Sequence, residues 1–345
     1  MTRFALMAAG LAMFSCSSSD KSGSGDTGST GDGDGCAVDT VTLSYPASDG
    51  ATDFYYRGSV EFEMDAADSD ATITLAQGTN DVAGVTTFNA DTGIISFKPD
   101  ASLSPSTDYS ATLSYCGGDV DVKFRTSSLG EALSDGPEGL EGRTFVVDLG
   151  AANFVEPAGV GSLIGQFLTQ NILLGVVSAT DTELEMRGAI SLEGSTEQDY
   201  CNPSIEFPET ADFSESPYFQ IGPEDTTLSA AGFDINIRRL RVSGDIAPDY
   251  SYFGGGILEG EIDARDLSTI LAEEGIISED DPSAVCELIQ PFGVVCSPCD
   301  SDGAAYCLNV YVNQIVALED AGNELIQVDE CDPVLCEEQG DTCDE

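Results

Sequence analysis

Eleven cysteines are the most reactive groups in this sequence: Cys16, Cys36, Cys116, Cys201, Cys286, Cys296, Cys299, Cys307, Cys331, Cys336 and Cys343. A cysteine can be a nucleophile, a metal thiolate, a lipid acceptor or half of a disulfide. Cys286, Cys296, Cys299 and Cys307 form a compact cluster with a C-x-x-C inside it. That cluster is either a four-thiolate zinc site or a set of disulfides, and its irregular flanks favour disulfides. The chain has no His and no Trp. Ser-His-Asp and Cys-His catalysis and His-containing zinc sites are therefore excluded.

Arg238, Arg239 and Arg241 are three of only 12 cations. On a strand, Arg239 and Arg241 share one face and Arg238 points to the other. The pair could hold an anionic ligand; in so acidic a chain, pairing with its own carboxylates is the expectation. Asp32-Gly33-Asp34, Glu273-Glu274 and Asp300-Ser301-Asp302-Gly303 offer oxygen ligands, but none completes a calcium loop. The expectation is no cofactor beyond a loosely bound Ca²⁺. Carboxylate pairs can hydrolyse glycosides, but among 62 acidic residues such pairs arise by chance. Gly254-Gly255-Gly256 precedes a strand rather than a helix, so it is no phosphate cradle.

The formal charge is −50 over 345 residues. Phosphate binding needs clustered cations, so nucleic acid is not expected as a partner. Basic attachment to anionic lipid is excluded on the same ground. The apolar fraction of 41% is enough to bury sizeable cores.

Residues 1–15 read as a secretory signal: Arg3, then an apolar run from Phe4 to Phe14. The run is too short to span a bilayer. Met13-Phe14-Ser15-Cys16 resembles a bacterial lipobox, with Met13 in place of the usual Leu. The resemblance implies that Cys16 is lipidated and becomes the new N-terminus. Residues 16–36 then form a lipidated Cys and a Ser/Gly/Asp tether that cannot bury a core. Ser17, rather than Asp, implies sorting to the outer membrane. Setting Cys16 aside leaves ten cysteines, an even number that suits disulfides in an exported chain. Cys36 and Cys116 lie at the two ends of the first domain and are expected to pair, worth about 4 kcal/mol. The other eight allow 105 pairings.

Residues 37–127 read as short strands between turns. Val60-Glu61-Phe62-Glu63-Met64 alternates apolar and acidic; Ile73 and Leu75, and then Tyr109, Ala111 and Leu113, share faces. A β-sandwich is expected. Tyr45-Pro46-Ala47-Ser48-Asp49-Gly50, the Leu103-Ser104-Pro105-Ser106-Thr107-Asp108-Tyr109 turn and the closing Lys123-Phe124-Arg125-Thr126 resemble the bacterial Ig-like domain of S-layer and other cell-surface proteins. That resemblance implies a spacer or adhesion module without catalysis. The chain departs from it at Cys116-Gly117-Gly118-Asp119, where relatives often carry an Asp/Gly/Asn turn.

Residues 128–142 are rich in Gly, Ser, Asp, Glu and Pro and read as a linker. Residues 143–330 read as a disulfide-rich antiparallel β-domain of about eight strands with two or three short helices. One helix is expected from Val160, Leu163, Ile164, Phe167 and Leu168, another from Asp281-Pro282 onward. A barrel resembling a lipocalin's, or a second sandwich, is expected. Its cysteine pattern resembles that of uncharacterised myxobacterial lipoproteins. Residues 331–345 read as an acidic, Cys-containing tail. The whole is an all-β, exported, lipid-anchored envelope protein. It is expected to bind or adhere through an unknown surface partner or ligand and not to be an enzyme. The alternative is a barrel that carries a lipid or other apolar ligand.

Overall fold

The computed structural model describes residues 36–147, 149, 152–157, 170–207, 209–230, 233–273 and 275–343. The tether, Cys16 and the helix expected around Val160–Leu168 lie outside them.

Nine strands build the first lobe. One sheet has the order β1 (Val41–Tyr45), β3 (Val60–Met64), β7 (Ile94–Pro99), β6 (Gly84–Asn89); the other runs β2 (Ala51–Phe54), β9 (Gly118–Thr126), β8 (Asp108–Tyr115), β4 (Thr72–Gln77), β5 (Asn80–Val82). Every pairing is antiparallel except β2 with β9. Alternation decides the faces: Val60, Phe62 and Met64 are buried while Glu63 is exposed, and Tyr109, Ala111 and Leu113 are buried together. Phe54 stacks on Phe124 at 4.2 Å between ring centres. Tyr109 is buried against Phe124, and its hydroxyl accepts from the Ser104 amide at 2.9 Å, fixing the turn before β8.

The second lobe is a closed eight-stranded antiparallel barrel. Its order is β10 (Thr144–Val147), β12 (Ile172–Ala179), β13 (Glu183–Ile190), β15 (Ala211–Asp212), β16 (Tyr218–Ala230), β17 (Phe233–Ile246), β18 (Tyr252–Asp263), β19 (Cys307–Glu319), and β19 pairs back to β10 through Phe145↔Glu319. Strand β11 (Asn153–Glu156) takes the other half of β19, and β14 (Ile205–Glu206) rests on β13. Eight strands leave an interior about as wide as the side chains that fill it. Phe145, Leu174, Leu184, Phe219, Phe253 and Val312 belong to that core. Phe253 meets Phe145 and Phe219 edge-on at 5.8 and 5.6 Å.

Residues 128–142 do join the lobes, but they are packed rather than loose. Leu133 and Leu140 enter the barrel core. Tyr250, 2% exposed, donates its hydroxyl to the Gly136 carbonyl and accepts from the Asp135 amide. The segment is polar in composition, yet two leucines in it hold it down, because burying each contributes about 1.5–3 kcal/mol.

Between β18 and β19 lies an insertion carrying α1 (Ala264–Glu273) and α2 (Pro282–Ile289). Asp281 caps α2 by accepting from the Ser283 amide, with Pro282 in the first turn, as the sequence predicts. Its small core is Ala264, Ile277 and Val285. Disulfides Cys286–Cys296 and Cys299–Cys307 staple it. The expected tail is ordered as far as Cys343. Helix α3 (Pro333–Glu338), capped by Asp332, is tied down by Cys201–Cys336, and Cys331–Cys343 closes the end. Cys36 and Cys116 are disulfide-bonded too.

Candidate functional site

The outer wall of β17–β18–β19 carries nearly all the unusual chemistry. Three polar arrangements lie along it.

The first joins the lobes. Tyr55, Tyr56 and Arg57 follow β2 at the edge of the sandwich. Asp245 on β17 is fully buried. Its two carboxylate oxygens accept from the Tyr55 hydroxyl at 2.5 Å and the Tyr56 hydroxyl at 2.7 Å. Arg57 lies over the Tyr218 ring at 3.9 Å and pairs with Glu215 at 2.7 Å. Gly255 on β18 has φ +61°, and a β-carbon there would sit 2.3 Å from the Tyr55 ring. Gly255 is thus a seat for the Tyr55 ring, as only glycine leaves that volume empty. Burial raises the Asp245 carboxyl above its usual range, outweighing the lowering by two phenolic hydrogen bonds. Burial and the Asp245 charge together push both tyrosines up.

The second holds the stapled insertion on the barrel. Asp263, 1% exposed, ends β18. It accepts from Arg265 Nε at 2.8 Å and Nη2 at 2.6 Å, and lies 3.3 Å from Arg238. Arg265 also reaches Asp302 at 2.6 Å, and Arg239 reaches Asp300 at 2.5 Å. The carboxylates of Asp300-Ser301-Asp302-Gly303, considered for Ca²⁺ on sequence, therefore face guanidiniums. The Arg265 hydrogen bonds hold Asp263 and Asp302 below the usual carboxylate range.

The third is a row across four strands. Arg241 on β17 faces Glu259 on β18; Glu259 faces Tyr311 on β19; Tyr311 faces Glu156 on β11. Their neighbours Val242, Leu258 and Val312 pack on the barrel core, so the row lies on the outer surface. A bulge with Arg239 at φ +51° interrupts β17 and brings Arg239 to the same side. Arg239, Arg241, Glu156, Glu259 and Tyr311 line one pocket of about 430 Å³. Arg241 donates from Nη1 to Glu259 at 3.2 Å, while its Nε is buried without a hydrogen-bond partner. Burial raises the Tyr311 phenol. A second pocket, of about 920 Å³, is polar and lies where the β16–β17 hairpin meets Asp266 and the segment Gln327–Asp329.

Of the residues picked out on sequence, Arg239 and Arg241 share a pocket, and each also has a carboxylate partner. Arg238 is turned away to Asp263 and the Ser301 hydroxyl. The C-x-x-C cysteines bond to Cys286 and Cys307, not to each other. Cys16 lies outside the described residues. Sequence reasoning missed Tyr55-Tyr56-Arg57, Asp245 and Asp263. The visible signal was two adjacent tyrosines followed by one of the few arginines; nothing local marks either aspartate among so many.

No protein-family model matches the chain, and no curated protein matches it. Among solved structures, an L,D-transpeptidase from Mycobacterium smegmatis aligns over 41% of this chain and 75% of its own, at 15% identity and a TM-score of 0.21, a likeness too slight to assign a fold or an activity.

Proposed function

We propose that this chain is a lipid-anchored protein of the bacterial envelope that binds or adheres through its surface without turnover. The supporting observation is the cysteine count. Ten of the eleven cysteines are disulfide-bonded, which leaves Cys16, within its lipobox-like setting, as the odd thiol. Disulfides form and persist outside the reducing cytoplasm. Ser17 fits retention at the outer membrane. On this reading the first lobe is a module of the S-layer Ig-like kind, and its buried seat on the barrel makes it a stiff spacer.

The absence of His and the structural partners of the buried Asp245 and Asp263 favour binding over catalysis. An apolar carrier would need an open interior, whereas Phe145, Phe219 and Phe253 occupy the barrel's centre.

Labelling growing cells with radioactive palmitate tests the anchor. The wild type should carry label and sediment with outer membranes, and Cys16→Ala should carry none. Unlabelled wild type, or label that survives the substitution, overturns the reading.

A further inference from the structure

We infer that the pocket spanning β17, β18, β19 and β11 binds a short zwitterionic peptide of two or three residues, with its carboxylate at Arg239 and Arg241 and its ammonium at Glu156. The inference concerns the outer barrel wall alone and stands whether or not Cys16 carries lipid.

Charge comes first. The pocket's lining holds two guanidiniums and two carboxylates, with Asp300 2.5 Å from Arg239 beside it, so it carries little of the chain's net charge of −50. A simple anion approaching it is repelled by the rest of the molecule, whereas a zwitterion carries no net charge to repel.

Polarity comes next. The cations lie at one end of the row and Glu156 at the other. Arg241 uses Nη1 on Glu259, which leaves Nη2 for a planar carboxylate. Glu156 is exposed, and its carboxylate has no partner among the described residues. Between the ends, the Tyr311 phenol offers a polar contact.

Length follows from strand spacing. Three interstrand steps of about 4.8 Å separate the Arg241 and Glu156 backbones by about 14 Å. Side chains on strands stand roughly perpendicular to the sheet, so the two ends stay about that far apart. An extended peptide of two or three residues at about 3.5 Å each, with a hydrogen bond of about 2.9 Å at either end, covers that separation. The volume of about 430 Å³ falls in the range of small-ligand sites.

The test is calorimetric or NMR titration of the full chain with trialanine, N-acetyl-trialanine and trialanine amide. Trialanine should bind in the millimolar range or tighter, and each capped peptide about fivefold more weakly, the loss of one exposed ion pair. Glu156→Gln removes an unpartnered surface charge and leaves the fold intact. It should abolish the preference for the free over the acetylated amine while keeping the preference for the free carboxylate. Arg241→Gln should abolish the carboxylate preference, with the melting temperature measured alongside. Absence of binding by wild type, equal binding of free and capped peptides, or an unchanged amine preference in Glu156→Gln each overturns the proposal.

Discussion

Two aspartates on neighbouring strands are equally buried, yet their carboxyls are perturbed in opposite directions. Asp245 accepts from two phenols and sits above its ordinary range; Asp263 accepts a bidentate guanidinium and sits below it. Burial penalises the charged form at both. At Asp245 burial is the largest influence, and neither the two phenols nor Arg57 at 4.0 Å offsets it; at Asp263 the hydrogen bonds from Arg265 outweigh burial. The sandwich is therefore seated on a carboxyl hydrogen-bonded by phenols, and the stapled insertion on one hydrogen-bonded by a guanidinium.

The largest expected effect comes from breaking the ionic joint. Arg265→Ala leaves Asp263 with Arg238 alone and should give the largest drop in the urea midpoint of the substitutions considered. Urea denaturation of the full chain measures it. On the phenol side, Gly255→Ala pushes a methyl into the Tyr55 ring at a positive φ and should cost about 2 kcal/mol. The sandwich should then part from the barrel, seen as a larger radius of gyration by small-angle scattering. Tyr109→Phe gives a reference without charge: it removes the hydrogen bond from the Ser104 amide, and a loss of about 1 kcal/mol is expected in thermal melts.

The pH response sharpens the contrast most finely. A carboxyl whose folded pKa is raised binds its proton more tightly folded than unfolded. The Asp245 contribution is therefore full below the ordinary value of 3.8 and is lost as pH rises through the folded value. Asp263 has the opposite sign. Its contribution is full above 3.8 and is lost as pH falls through its depressed folded value. Wild type minus Asp245→Asn stability, followed across the acid range, should slope downward with pH; wild type minus Asp263→Asn should slope upward. Equal slopes would contradict the assignment of partners.

Much of the architecture was legible in the sequence, and the reasons are specific. Strands β3, β4, β8 and β13 show their alternation openly, β12 shows as a continuous apolar run, and the Asp281-Pro282 helix start is a purely local signal. The all-β character follows from patterns read over tens of residues, whereas closure of the second lobe into a barrel depends on the pairing of β10 with β19, which no local pattern marks. Strand β16 stayed hidden because Gly222-Pro223 interrupts it; the structure absorbs both in a bulge between Ile221 and Glu224. Helix α1 was missed although Ala264, Leu267 and Leu271 mark one apolar face, because Ile257–Ile262 before it reads as strand. The shared side of Arg239 and Arg241 is what strand alternation predicts, but in the structure a bulge at Arg239 delivers it. Asp245 and Asp263 were invisible for a different reason: their partners come from elsewhere in the chain, with Tyr55 190 residues from Asp245.

Strand β10 is the first strand of the barrel, yet its Phe145 aligns with Glu319 on β19, the last. The ring therefore cannot be completed until β19 has been made. A product truncated anywhere before β19 retains two open borders of unpaired amides and carbonyls, the surfaces on which strands of other molecules can add. Premature termination should thus yield insoluble, self-associating fragments rather than smaller working versions of the protein.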